Sequence, residues 1–157
     1  MKIAVVVCSD TIAKNKKGDS AGKKIISHLE KYKINVKNYN IIPDDKLEIE
    51  YQISMLLKKN MDIILFCGGT GLSPRDITPE TISPLLHREI PGIMEAARSF
   101  GQEKTPYAML SRGIAGMINN TLIITLPGST KGADETMQAL FPFVFHIFQV
   151  SKGQRHK

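Results

Sequence analysis

The sequence predicts a three-layer α/β/α domain built on a mostly parallel sheet. Three observations carry this. Ile3 to Cys8, Ile63 to Cys67 and Thr121 to Leu126 are short, near-continuous apolar runs rich in β-branched residues. That is the pattern of strands buried on both faces. Between them lie segments whose apolar residues recur at helical spacing. Each run also ends in short polar or glycine-bearing residues, as strands do where they hand the chain to a turn.

In order, IAVVVC (Ile3 to Cys8) is a central strand that ends at Ser9, Asp10 and Thr11. Lys14 to Ser20 is a polar loop containing Gly18. A helix follows, capped by Ser20, with Ala21, Ile25, Ile26, Leu29 and Tyr32 on one face, expected to run to about Lys33. Val36 to Ile42 is less apolar, hence a strand nearer the edge, and it ends at Pro43-Asp44-Asp45. The next helix has Leu47, Ile49, Ile53, Leu56 and Leu57 as its stripe and stops at Asn60. Ile63 to Cys67 then runs into Gly68-Gly69-Thr70-Gly71 and a polar loop with Ser73, Arg75 and Asp76. Thr78-Pro79-Glu80 has the composition of a helix start, with Thr78 as the cap, and Pro84 keeps that helix short. Ile90-Pro91-Gly92 opens another helix that ends near Gly101. Tyr107 to Gly116 is ambiguous by periodicity. Thr121 to Leu126 is a strand closed by Pro127-Gly128-Ser129. The last segment keeps helical spacing from Ala133 to Phe148, and Pro142 should kink or split it. Past Pro142 it is apolar nearly all round, which fits a subunit interface and ordinary core about equally.

The chain has 157 residues, so 1–157 is expected to be one domain, with 152–157 a basic tail. The net charge of +6 favours anionic ligands, with most lysines solvated and a minority gathered near a phosphate-bearing ligand. Tryptophan is absent and aromatics are few, which argues against a nucleic-acid stacking surface. Cys8 and Cys67 each lie near the end of an apolar run and read as free buried thiols in a reducing cytoplasm. No signal peptide is evident, and no apolar run approaches a membrane span, so neither membrane nor nucleic-acid partners are expected.

In an open α/β sheet, ligands bind beyond the carboxyl ends of the strands. The GGTG turn after Cys67 lets a ligand approach the main chain closely. It lacks the Gly-Lys-Ser/Thr of a Walker loop and the GxGxxG of a dinucleotide fold, and by itself a tight turn explains it equally well. Its company strengthens the phosphate reading. If the strands are parallel, Ser9-Asp10, Asp44-Asp45, Ser73 to Asp76 and Ser129 to Lys131 all fall on one edge. That edge offers Arg75 and Lys131 for phosphates and the carboxylates of these turns for a metal. Two like charges about 4 Å apart repel by roughly 4 kcal/mol at an effective dielectric of 20. Carboxylates beside phosphates therefore call for a cation, and Mg²⁺ shared between one or two carboxylates and substrate phosphates suits. Taken singly, Asp44 reads as a helix cap and Asp76 as a turn residue or cap. His28, His87, His146 and His156 fall in predicted helices or the tail, adjoin no serine or cysteine in a catalytic arrangement and read as surface or packing residues.

The combination GGTGLSPRDITPE resembles the signature of the MogA/MoaB family of molybdenum cofactor biosynthesis, shared with the gephyrin G-type domain. The resemblance extends through GDSAG (Gly18 to Gly22), IIPDD (Ile41 to Asp45), REIPG (Arg88 to Gly92), AMLSR (Ala108 to Arg112) and LPGS (Leu126 to Ser129). It implies a molybdopterin-binding fold, a homotrimer, transient contact with other molybdenum cofactor enzymes, and adenylylation of molybdopterin by MgATP with release of pyrophosphate. By motif, Asp44 and Asp76 would be the catalytic acidic pair and the Mg²⁺ ligands. Gly68, Gly69, Thr70, Gly71 and Ser73 would cradle phosphate. Ser9, Asp10, Arg75, Ser111, Arg112, Pro127, Gly128, Ser129 and Lys131 would line the pterin and nucleotide pocket. A pterin-binding protein without turnover, or a structural trimer, would carry the same signature.

Overall fold

The structure is a computed structural model that describes residues 1–153, and it is built on one six-stranded sheet. The three apolar runs form β1 (Ile3–Cys8), β3 (Ile63–Cys67) and β6 (Thr121–Leu126), with the boundaries their composition predicts. The edge strand β2 is Asn38–Ile42, two residues shorter at its start than expected. Two further strands, β4 (Arg88–Glu89) and β5 (Ala115–Ile118), complete the order β2-β1-β3-β6-β5-β4. β2, β1, β3 and β6 are mutually parallel, while β5 and β4 are antiparallel additions. Cys8 pairs with Ile42, Val7 with Cys67, and Cys67 with Leu126, so four carboxyl ends stand side by side.

β5 lies partly in the stretch whose periodicity is ambiguous. Its Gly116 explains part of that ambiguity: a Cβ there would meet Arg88 O at 2.5 Å and Leu86 Cδ1 at 2.8 Å. The short β4 backbone closes over a position where no side chain fits.

The helices are α1 (Asp10–Ala13), α2 (Ala21–Glu30), α3 (Lys46–Lys58), α4 (Thr78–Ile82), α5 (Pro91–Gln102), α6 (Thr130–Leu140) and α7 (Ile147–Val150), with 3₁₀ turns at Ser83–Leu85, Pro106–Leu110 and Phe143–His146. Alternation along the strands sends side chains to two cores. Ile3, Val5 and Val7 pack with Ile25 and Leu29 of α2, Met94 of α5 and Met137 of α6. Ala4, Val6 and Cys8 pack on the other face with Ile49, Ile53 and Leu56 of α3 and Ile82 of α4. This is the three-layer arrangement expected.

Several local expectations are corrected. α1 has no counterpart in the sequence pattern, because one helical turn is too short to show a period. α2 ends at Glu30, and Lys33 already has φ +60°. Ser20 stands at the cap position of α2, but its hydroxyl lies 2.5 Å from Thr130 Oγ1 and makes no cap bond. Leu47 is 73% exposed, and Gln52, which accepts from Asn40 Nδ2 at 2.9 Å, joins the buried face of α3 in its place. Thr78 is the first residue of α4 and caps nothing. His87 lies between a 3₁₀ turn and β4, not in a helix. After α6 the chain breaks at Pro142, as expected. Val144, Phe145, Ile147 and Phe148 then pack partly buried against the core, while Phe143 is 75% exposed. Residues 154–157, which hold His156 and most of the basic tail, lie outside the described residues. Among the described residues no helix is long and apolar enough to cross a membrane.

Candidate active site

Four loops meet at the carboxyl edge of β2, β1, β3 and β6, and glycines let their backbones touch. Gly68, at φ +107°, is packed so closely on Cys8 O that a Cβ would overlap it. Its N–H donates to Leu126 O at 2.9 Å. A Cβ on Gly128 would sit 3.2 Å from Gly68 Cα. The turns after β1, β3 and β6 are thereby stitched together at Gly68.

Gly69, at φ +66°, faces two polar oxygens. A Cβ there would clash with Thr78 Oγ1 and reach within 3.2 Å of Asp44 Oδ1. A Cβ on Gly71 would lie 2.9 Å from Asp76 Oδ2. Both predicted carboxylates therefore abut the glycine loop, from the turns after β2 and β3. Asp76 folds back on its own turn and accepts from Ser73 N at 2.8 Å, while the Ser73 hydroxyl accepts from Arg75 N at 3.3 Å. Asp45, not Asp44, caps α3, accepting from Glu48 N at 3.1 Å. Asp44 is thereby released from the structural role its position allowed.

Asp44 is held instead by Asp10. The Asp44 N–H donates to Asp10 Oδ1 and the Asp10 N–H to Asp44 Oδ2, each at 3.0 Å. Arg75 spans both, with Nε to Asp10 Oδ2 at 2.9 Å, Nη2 to Asp10 Oδ1 at 3.1 Å and Nη2 to Asp44 O at 2.8 Å. The Arg75 bonds hold the Asp10 carboxyl below the usual carboxylate range. Asp44 goes the other way: burial pushes its carboxyl up, the Asp10 N–H bond opposes this, and the charges of Asp10 and Asp76 add to the rise. Its Oδ1 is buried, and among the described residues it has no hydrogen-bond partner. The same holds for Thr78 Oγ1, on a residue with no exposed surface. Burial likewise pushes the Cys8 thiol, beside Thr78 and Asp44, up to about 12.

Arg112 is a clamp. Its Nε donates to Gly71 O at 2.7 Å, its Nη2 to Asp76 O at 2.8 Å, its Nη1 pairs with Glu80, and its own N–H donates to Thr70 O at 3.0 Å. It ties down the glycine loop through the Thr70 and Gly71 carbonyls. Ser9 and Ser129 are helix caps, accepting from Ile12 N at 3.4 Å and Gly132 N at 3.1 Å.

The second half of the site is a cavity of ≈ 250 Å³ between α5, the Pro106–Leu110 turn and α6. Four predicted residues line it, Ser111, Pro127, Ser129 and Lys131, together with Met94 and Tyr107. Ser111 Oγ is buried without a partner among the described residues. Lys131 Nζ lies 3.9 Å from Glu135 Oε1. Pro127 and Ser129, on either side of Gly128, line this cavity, while Gly128 itself packs on Gly68. Two contributors are not legible in the sequence. Thr78 has the composition of a cap. Arg98 reads as an ordinary charge on a surface helix, yet it donates to Ser111 O at 3.4 Å and Gly113 O at 3.2 Å and fixes the cavity wall.

Residues 4–146 match the family profile MoCF_biosynth, described as "Probable molybdopterin binding domain". The chain belongs to this family. The domain is 35% identical to molybdenum cofactor biosynthesis protein B of Staphylococcus aureus (strain MRSA252), over 94% of this chain and 89% of that one. It is 37% identical to a molybdenum cofactor biosynthesis bifunctional protein of Chlorobaculum tepidum, covering 99% of this chain but spanning only 50% of that protein. The fold superposes with a TM-score of 0.90 on the crystal structure of the molybdopterin biosynthesis enzyme MoaB from Thermus thermophilus, 38% identical and covering 99% of both chains. The α/β fold read from the sequence is the fold of this family.

Proposed function

We propose that this domain of molybdenum cofactor biosynthesis transfers the adenylyl group of ATP to molybdopterin. The observation that carries the reading is the convergence of Asp44 and Asp76 on the glycine loop, with Asp44 Oδ1 buried and unpartnered among the described residues beside Gly69. Gly68 to Gly71 and Ser73 form the cradle for phosphates, with Lys131 adding positive charge. The cavity holding Ser111 takes the pterin, with its flat apolar faces and polar edge. At ≈ 250 Å³ it is slightly below the roughly 300–1,000 Å³ of small-molecule pockets, and Pro127 and Ser129 of the turn after β6 line it. A phosphate oxygen of molybdopterin attacks the α-phosphorus of ATP. One P–O bond forms, the bond to the β-phosphate bridge oxygen breaks, and pyrophosphate leaves with its electron pair. No protein nucleophile is needed.

The residues fit a Mg²⁺ shared with the substrate, not one caged by the protein alone. Among the described residues no group of three or more His, Cys, Asp or Glu side chains could hold a metal. Asp44 and Asp76 would hold the ion together with substrate phosphates, a carboxylate and phosphate oxygen set that suits Mg²⁺. When bound, the ion neutralises charge between carboxylates and triphosphate. Asp44 and Asp76 then hold and orient, and Arg112 keeps the loop shaped to receive the phosphates.

We propose further that the chain works as a homotrimer in the cytoplasm, in transient contact with other molybdenum cofactor enzymes. The side chains of Tyr107, Met109 and Phe143, at 74%, 64% and 75% exposed, are apolar surface that assembly would cover. The deciding experiment supplies purified protein with molybdopterin and MgATP. Pyrophosphate release supports the transfer reading. Pterin binding without pyrophosphate replaces it with a binding protein.

A further inference from the structure

We infer that Asp10 and Arg75 are one positioning unit for Asp44, and that Arg75 acts on the reaction through Asp10 and not by holding a phosphate. The inference rests on the adenylyl-transfer reading for its kinetic arm only. Three loops contribute, one each from the ends of β1, β2 and β3, and five hydrogen bonds join them.

Their pattern is specific. The Asp44 N–H, the Asp44 carbonyl and Asp44 Oδ2 are each taken, by Asp10 Oδ1, Arg75 Nη2 and the Asp10 N–H. The polar atom of Asp44 left over is Oδ1, which faces Gly69 in the glycine loop. Backbone and side chain are therefore both pinned, and the one free oxygen is the one aimed at the phosphate cradle. Asp10 and Asp44 are like charges brought together, an arrangement that strains apart without a cation between them. Arg75 is that cation, and its planar fork meets Asp10 with two donors, Nε and Nη2. Nη2 is shared between the Asp10 carboxylate and the Asp44 carbonyl, so moving Arg75 onto a substrate phosphate would dismantle the bracket that orients Asp44.

Two roles thus make opposite demands. A phosphate-binding Arg75 contributes to substrate affinity and leaves Asp44 as it is. A bracing Arg75 contributes to turnover and controls Asp44 even without substrate. The test uses the full chain with Arg75→Gln, Arg75→Lys, Asp10→Ala and the Arg75→Gln/Asp10→Ala double variant, each checked for folding by circular dichroism. Amide hydrogen exchange is followed by NMR without ligand. Pyrophosphate release is followed with MgATP and molybdopterin.

Under the inference, Arg75→Gln speeds exchange at the Asp44 N–H about tenfold, and Asp10→Ala does at least as much. Turnover falls on the order of 10- to 100-fold while KM for ATP stays within about twofold. The double variant is no slower than the worse single one, because both remove the same unit. Arg75→Lys, which keeps charge without the fork, falls between wild type and Arg75→Gln. Unchanged exchange at Asp44 in Arg75→Gln overturns the inference, as does a raised KM with turnover kept, or losses that multiply in the double variant. If wild type releases no pyrophosphate, the functional reading fails by itself, and the exchange measurement still decides the bracket.

Discussion

Replacing Gly69 with alanine tests whether the glycine loop is shaped by close approach, and the structure sets the size of the effect. Gly69 has φ +66°, where an L side chain costs about 1–2 kcal/mol. The new Cβ would also lie 3.1 Å from Thr78 Cβ and 3.2 Å from Asp44 Oδ1, and would overlap Thr78 Oγ1 outright. Thr78 has no exposed surface and is β-branched, so it cannot swing aside cheaply. Overpacking of this kind adds about 1–3 kcal/mol. The total, about 2–5 kcal/mol, is a large part of the ~5–15 kcal/mol that holds a domain folded. For a chain of this size that lowers the melting temperature by roughly 5–20 °C. The assay is thermal unfolding followed by circular dichroism, with Gly92→Ala as the control. Gly92 lies in the first turn of α5, where a Cβ meets nothing within 4 Å, so that variant should match wild type or gain up to about 1 kcal/mol. A Gly69→Ala protein that melts with wild type would refute the argument that Thr78 and Asp44 crowd this residue.

Other perturbations should separate the roles assigned here. Asp76→Asn should keep the fold and pterin binding, since an amide oxygen can still accept from Ser73 N, and lose most pyrophosphate release; unchanged release removes Asp76 from the reaction. Arg112→Ala leaves the carbonyls of Gly71 and Asp76 without their partner and should cost about 1–3 kcal/mol in chemical denaturation, with the largest exchange increase in residues 70–76. Asp44 should make stability fall as pH rises. Its folded-state carboxyl titrates above the unfolded value, so the folded protein binds the proton more tightly, and its ionisation opposes folding above that raised pKa. Asp44→Asn should therefore melt higher than wild type at neutral pH, and the difference should vanish below the ordinary aspartate value of about 3.9. Sedimentation should give about three times 17.4 kDa, and a monomer would return Phe143 and Tyr107 to ordinary surface.

What is legible in the sequence follows from what is periodic. β1, β3 and β6 are buried on both faces, and unbroken apolar runs announce such strands. Once those are parallel, their turns must share an edge, so the meeting of Asp10, Asp44, Gly69 and Asp76 follows from topology. β4 and β5 are hidden because two exposed residues and a short strand containing a glycine carry little pattern. The division of labour within the site is hidden for another reason. Composition shows that Asp44 and Asp45 are adjacent acids, but only the backbone decides which one turns to cap α3. It likewise shows an arginine in the loop but not that the arginine faces Asp10.

That last distinction bears on how such a rim tolerates its own charge. Asp10, Asp44 and Asp76 lie close enough for Asp10 and Asp76 both to push the Asp44 carboxyl up. Three carboxylates with no counter-charge would repel one another and splay, which leaves Asp44 poorly oriented toward a cation. Arg75 lowers Asp10 and ties it to Asp44, so one of the three is satisfied within the protein. On the proposed reading, Asp44 and Asp76 are left as the pair whose charge a bound ion would answer. The arginine that looks most available for phosphate thus does more for the reaction by staying where it is. Loss of its charge should raise the divalent-ion concentration needed for half-maximal turnover, not the ATP concentration. A titration of pyrophosphate release against Mg²⁺ in Arg75→Gln measures which of the two moves.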